Sequence, residues 1–312
     1  MPQRKIAVIG TGKIAQDQHL PVIAKSGAFV LAATVNPSGV ARQGVPVFTS
    51  AADLYAAMPE VDLVSICTPP GVRHALACQA LRAGKHVLLE KPPATTISEF
   101  DDIVATARAE GRVLFQTWHS QYNAAVDAAR KILAAEGVAD LRIDWRESVR
   151  KWHPGQDWVW QPGGFGVCDP GINALSIFTR ILPFPAFIAG ARMAVPSNRQ
   201  TPVDVELTFG SAAPHQPAMS AGFNWLEESG EVWTISITTQ SGRRLALEKG
   251  GTVLRIDGAI AVANPSEEYE RIYERFAGLL ATDQSDADGT PLRLVADIFL
   301  LAERQTAAPF NW

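Results

Sequence analysis

Short apolar runs alternate with longer amphipathic stretches through the first 120 residues. The runs are Lys5 to Gly10, Phe29 to Val35, Val61 to Cys67, His86 to Glu90 and Arg112 to Gln116. Helical patterns fill Gly71 to Ala83 and Ser98 to Glu110 between them. Apolar strands alternating with helices imply a parallel sheet covered on both faces. Further on, the period changes. All eight tryptophans lie at or beyond Trp118, and four of them fall between Trp145 and Trp160. Val203, Val205, Leu207 and Phe209 share one face of a strand, as do Trp233, Ile235 and Ile237. Strand following strand predicts an antiparallel sheet packed by helices on one face. Two late helices follow: Glu267 to Ala281, with Tyr269, Ile272, Phe276 and Leu279 in phase, and Pro291 to Arg304. The pattern predicts an α/β protein with a nucleotide-binding-type domain over 1–120. An α+β domain on a mainly antiparallel, open-faced sheet is expected over 121–312. The last helix is a candidate to pack back on the first domain.

Composition narrows the classes of function. Lys and Arg number 28 against 32 Asp and Glu, a net charge of −4, so the basic surplus of a nucleic-acid binder is missing. Hydrophobic residues make up 47% and charged ones 19%, enough to bury a large core. No apolar run approaches the roughly 18–20 residues of a membrane span. Only Ile6 to Ile9 follow the basic start, too short for a signal peptide. The three cysteines, Cys67, Cys78 and Cys168, are an odd number without a CxxC, arguing against a disulfide framework or a zinc cage. A cytoplasmic protein is expected.

Gly10-Thr-Gly-Lys-Ile-Ala15 fits G-x-G-x-x-A directly after the first predicted strand. The first glycine permits a tight turn, the second lets the backbone approach a pyrophosphate, and Ala15 lets helix and strand pack closely. The helix N-terminus then faces the anion. This is the fingerprint of a Rossmann dinucleotide-binding domain. The second strand ends in Asn36, where an NAD-preferring site would place Asp or Glu on the ribose. An amide does not repel a 2′-phosphate, and Ser38 and Arg42 could contact one, so NADP is expected to be accepted. Alternatively, Asn36 merely caps a turn. Lys91, after the fourth strand, falls where ligands of parallel sheets bind.

Leu141, Ile143 and Trp145 alternate toward one face, and Glu147 falls in phase with them. A carboxylate there needs a partner, such as a sugar hydroxyl or a lysine, unless a bulge turns it to solvent. Asp169 and Asn173 are four apart across Pro170-Gly171, where a helix is expected to start; at the least Asp169 would cap it. His119 and His153 each adjoin a tryptophan, and paired aromatic faces suit the apolar side of a pyranose. A structural, hydrogen-bonded histidine is the plainer reading of each. With no HExxH and no ligand cluster at useful spacing, no metal is expected.

Together these residues resemble the glucose-fructose oxidoreductase/inositol dehydrogenase/rhizopine-catabolism family over nearly the whole chain. The features are the GTGKIA fingerprint, Cys67-Thr-Pro-Pro70, the Glu90-Lys-Pro92 triplet and Asp169-Pro-Gly-Ile-Asn173. Lys13 to Pro21, Thr117 to Ser120, Lys151 to Gly155, Asp169 to Ser176 and Pro291 to Asp297 read like its bacterial aldose 1-dehydrogenases, of the L-arabinose and D-galactose type. The resemblance implies NAD(P)-dependent oxidation at C1 of a monosaccharide to its lactone. It implies cofactor contacts from Gly10, Gly12, Lys13, Ile14, Asn36, Ser38, Thr68, Pro69, Glu90 and Lys91. It puts Lys91, Asp169 and Asn173 at the reacting hydroxyl, with Glu147 and His153 around the sugar. His119, Trp152 and Trp233 become its walls. Many members carry histidine where this chain has Asn173, and an amide is no base at neutral pH. The base is then Lys91 or Asp169. A homodimer is the oligomer implied. An inositol or polyol dehydrogenase and a non-catalytic sugar or cofactor sensor are the rival readings.

Overall fold

The computed structural model describes residues 3–40 and 44–312. In chain order the first stretch runs β1 (Arg4–Ile9), α1 (Leu20–Lys25), β2 (Phe29–Val35), β3 (Val47–Phe48), α2 (Ala51–Ala57) and β4 (Leu63–Ile66). It continues with α3 (Arg73–Arg82), β5 (His86–Leu89), α4 (Ile97–Ala109) and β6 (Leu114–Gln116). These strands form one sheet in the order β3-β2-β1-β4-β5-β6, every neighbouring pair parallel. Ile6, Ala7, Val8, Leu63, Val64, Val87 and Leu88 are fully buried, as a sheet covered on both faces requires. The order reverses at β1, so β1 and β4 point their carboxyl ends at the switch point where such sheets bind ligands.

The second stretch opens with α5 (Ala124–Glu136), β7 (Asp140–Arg146), the single turn α6 (Val149–Trp152) and α7 (Cys168–Ile181). Seven strands follow: β8 (Ala186–Pro196), β9 (Asp204–Ser211), β10 (Ala218–Asn224), β11 (Val232–Thr238), β12 (Arg244–Glu248), β13 (Val253–Ile256) and β14 (Ala259–Ala263). The chain ends with α8 (Glu268–Thr282), α9 (Thr290–Leu301) and β15 (Glu303–Ala307). The second sheet runs β14-β13-β12-β11-β7-β10-β9-β8-β15. Its pairs are antiparallel except β7 with β10 and β8 with β15. Helices α5, α7 and α9 pack on one face, which buries Leu141, Ile143, Val205, Leu207, Ile235 and Ile237. The opposite face of β7 carries Arg142, Asp144 and Arg146, paired with one another and with Glu206 of β9.

The chain divides into two units, 1–119 with 268–289 and 120–267 with 290–312. The element that returns to the first unit is therefore α8, and the last helix α9 packs on α7 and β8 of the second. The cause lies in the aromatic face of α8. Phe276 stacks between Phe29 and Phe115, and Tyr269 and Tyr273 meet His19 edge-on. The last helix is also shorter than its pattern: it stops at Leu301, and Arg304 lies in β15. That edge strand is almost wholly exposed, so no apolar alternation announces it.

Candidate active site

In the first unit the fingerprint loop leaves β1 with Gly10 at φ +88°. A Cβ on Gly10 would lie 2.9 Å from the Thr68 methyl and 3.0 Å from the Thr68 nitrogen, so only glycine lets the ends of β1 and β4 meet. Gly12 faces open space, with nothing within 4 Å of where its Cβ would be. A helix starts at residue 13 and passes through a π turn over Ala15–His19 before becoming α1. The hydroxyl of Thr68 is buried without a hydrogen-bond partner, an unmet polar group at the switch point. An open glycine, a helix N-terminus and a waiting hydroxyl fit a dinucleotide.

The proposed ribose-reading residues are engaged with one another. Asn36, 7% exposed, donates to the Val40 carbonyl and accepts from the backbone nitrogen and hydroxyl of Ser38. It therefore organises its own turn, as the plainer reading expected. Arg42 lies outside the described residues. Lys13 is exposed and paired with Asp17 one turn on, while Ile14 is half-buried and Pro69 exposed.

Glu90 is fully buried and gathers three donors: His19 Nε2 at 3.0 Å, the Tyr269 hydroxyl at 2.8 Å and the backbone nitrogen of Lys91 at 2.9 Å. Burial alone would raise its pKa, but the His19 hydrogen bond and charge, with those of His119 and Arg73, hold it far below the usual carboxylate range. Burial likewise opposes charge on His19, yet Cys67, Tyr273 and Glu90 hold its pKa well above the usual value. Both shifts favour an imidazolium paired with a carboxylate. Beside it, buried Arg73 donates to the carbonyls of Thr68 (2.6 Å), Glu90 (2.8 Å) and Pro92, tying the end of β4 to the segment carrying Lys91. His119 belongs to this unit. Its Nδ1 lies 2.8 Å from Glu268, whose carboxylate outweighs the burial and raises the imidazole pKa.

In the second unit, α7 starts at Cys168, so Asp169 lies inside its first turn and Val167 holds the capping position. Gly171 makes this placement possible: a Cβ there would run into the Phe223 ring of β10 at 2.7 Å. The loop into the helix is equally tight. Phe165 takes φ +67°, and a Cβ on Gly166 would reach the Pro202 oxygen at 2.4 Å. Asp169 is 3% exposed, with His153 Nε2 3.4 Å from its Oδ2. Asn173, one turn on and half-buried, shares its helix face.

Glu147 is buried rather than turned to solvent. Its carboxylate accepts from the indole nitrogens of Trp225 at 3.3 Å and Trp233 at 2.9 Å. Trp233 in turn lies against Trp152, ring centres 5.6 Å apart, and His153 meets the edges of Trp225 and Trp158. Six predicted residues therefore gather in the second unit: Glu147, Trp152, His153, Asp169, Asn173 and Trp233. Gly10, Gly12, Thr68, Glu90, Lys91 and His119 stand in the first. Trp225, Arg73 and His19 went unread in the sequence. Trp225 continues the phase of Met219, Ala221 and Phe223, a signal that was available. Arg73 shows none, because its three acceptors are backbone carbonyls.

Residues 4–117 match the GFO/IDH/MocA family model, an oxidoreductase family with an NAD-binding Rossmann fold. Over 306 residues, 98% of each chain, the protein is 42% identical to galactose 1-dehydrogenase of Pseudomonas fluorescens. The crystal structure of D-galactose-1-dehydrogenase from Rhizobium etli superposes with a TM-score of 0.94 at 44% identity, covering 100% of this chain and 99% of that one. A 3-ketoreductase from Actinomadura kijaniata, solved with NADP, shares the fold at a TM-score of 0.86 and 18% identity, over 98% and 100% of the two chains. The chain belongs to the GFO/IDH/MocA oxidoreductases, with the NAD-binding Rossmann fold of that family.

Proposed function

We propose that the protein oxidises C1 of an aldopyranose, D-galactose or a near relative such as L-arabinose, to the 1,5-lactone with NADP or NAD. The carrying observation is buried Asp169 paired with half-buried His153, set among Trp152, Trp225 and Trp233. A base beside aromatic faces suits a sugar hydroxyl on an apolar ring. A bound nicotinamide would supply the acceptor for the hydride that leaves C1.

The chain's own residues manage the proton. Asp169 accepts it from the C1 hydroxyl as the carbonyl forms, and His153, on the same carboxylate, passes it on. Lys91 balances the negative charge developing on that oxygen, and Asn173 hydrogen-bonds beside it. Glu147 fixes the planes of two tryptophans and acts as a positioning residue. Gly12 and the start of the helix at residue 13 would hold the pyrophosphate, and the unpaired Thr68 hydroxyl could donate to the dinucleotide. Asn36 carries no charge to repel a 2′-phosphate, which supports use of both cofactors.

A homodimer through the helix-free face of the second sheet completes the reading, as does action in the cytoplasm. Three free, buried cysteines support the latter, and among the described residues no helix is long and apolar enough to cross a membrane. The test is a panel of aldoses and inositols with NADP and NAD, followed by absorbance, with the first product identified by NMR. A lactone is expected. A keto sugar as first product, or turnover of inositols alone, overturns the assignment.

A further inference from the structure

On the outer side of the first sheet, helices α3 and α4 bring together three side chains that the reaction does not use. His74 and Cys78 are one turn apart on α3, and Asp102 faces them from α4. His74 Nε2 lies 2.7 Å from Asp102 Oδ2, and Cys78 Sγ lies 3.6 Å from the same oxygen. All three donor atoms lie within 4.8 Å of one another. We propose that His74, Cys78 and Asp102 form a binding site for one zinc ion.

The geometry is close to what zinc needs. Bonds of about 2.0–2.3 Å arranged tetrahedrally place donor atoms roughly 3.3–3.7 Å apart. The Cys78–Asp102 distance already falls in that range. His74 and Asp102 need to part by only about half an ångström, because their hydrogen bond is replaced by two metal bonds. The donor set of one imidazole, one thiolate and one carboxylate is too soft for magnesium or calcium and suits zinc. A thiolate and a carboxylate also neutralise its two charges.

Access and support fit as well. Cys78 is 2% exposed and forms the floor, while the side chains of His74 and Asp102 are 36% and 53% exposed and form the mouth. The Thr106 hydroxyl lies 3.8 Å from the Cys78 sulfur and can hold the thiolate from behind. Arg82, one turn beyond Cys78, is the cation that opposes the ion. Binding forms the zinc–sulfur bond as the thiol gives up its proton to solvent. Water takes the fourth position. The ion would clip α3 to α4.

The full chain, stripped with a chelator, is titrated with Co²⁺, whose thiolate charge-transfer band in the near ultraviolet reports a sulfur ligand. The band should appear in the wild type and vanish when Zn²⁺ is added. It should be lost in Cys78→Ser, and the affinity should fall at least about 10-fold in His74→Gln and Asp102→Asn. Cys67 and Cys168 remain in Cys78→Ser, so a band that survives there overturns the site, as does a wild type without one. If Cys78→Ser fails to fold, the half-exposed His74→Gln decides: unchanged Co²⁺ affinity overturns the proposal. Zinc should also raise Tm in the wild type and not in His74→Gln.

Discussion

In the proposed reaction Asp169 would take the proton and Lys91 would balance the developing charge, and substitution separates the two roles. Asp169→Asn keeps the size and the His153 contact but cannot accept a proton. General-base help is worth roughly 10²–10⁴-fold, so kcat should fall at least about 10² at pH 7 with the dissociation constant for NADP unchanged. Lys91→Met should be nearly inactive as well. Near-normal turnover in Asp169→Asn beside a dead Lys91→Met would make lysine the base. Asn36 is read similarly. Asn36→Asp retains the acceptor oxygen for Ser38 and introduces a charge, so KM for NADP should rise while KM for NAD holds. Equal changes for both would confine Asn36 to shaping its turn. At this scale the sequence was informative wherever a residue's role follows from its own phase. Glu147 fell in phase with a buried face and is buried. That its partners are two indoles was not legible, because Trp225 follows β10 and Trp233 sits on β11, strands brought beside β7 only by the order of the sheet.

Elements carry this chemistry because their ends are fixed. Five of the six first-unit strands could be read almost to the residue, since parallel strands buried on both faces are continuous apolar runs bounded by glycine or polar turns; the two-residue β3 at the sheet edge was not. The two corrections both concern elements whose partners are remote. β15 has no apolar face to announce it, and α8 shows an aromatic face whose partners, Phe29, Phe115 and His19, precede it by well over a hundred residues. Arg73 was illegible for another reason: the acceptors of its hydrogen bonds to Thr68, Glu90 and Pro92 are backbone carbonyls. It opens α3, and its guanidinium holds three carbonyls at the ends of β4 and β5. Arg73→Met leaves those carbonyls buried without a donor, at about 1–3 kcal/mol for each one unmet. Urea unfolding should show a loss of that order, and KM for the cofactor should rise as Thr68 loosens. Arg73→Lys should recover only part of both, because an ammonium cannot span the fork. Full stability in Arg73→Met would show that the clamp contributes nothing.

At the scale of the whole molecule, the first unit is assembled from two distant pieces of chain, 1–119 and 268–289. The buried pair of Glu90 and His19 depends on that return, because Tyr269 and Tyr273 supply hydroxyls to it from α8. The pair is expected to set the acid limit of stability. Glu90 has its pKa lowered in the folded state, so its contribution is complete above the ordinary value of 4.5 and is lost as the pH falls below it. His19 is raised, so its contribution is complete below 6.5 and survives until the pH passes its folded value. Stability should therefore decline below about pH 4.5, and Glu90→Gln should flatten that decline while costing about 3–5 kcal/mol at pH 7 for the unpaired His19. An unchanged acid limb would show that other carboxylates set it. The same dependence makes the nucleotide-binding half inseparable from the end of the chain. A fragment ending at His119 lacks the tyrosines and leaves Phe29 and Phe115 without Phe276, burying a charged pair with two of its partners gone. Such a fragment should show no cooperative thermal transition, even though it contains every strand of the first sheet and the whole fingerprint. Supplying residues 268–289, fused through a flexible linker, should restore the transition and NADP binding. A fragment that melts cooperatively without them would show that the first sheet and its own helices suffice.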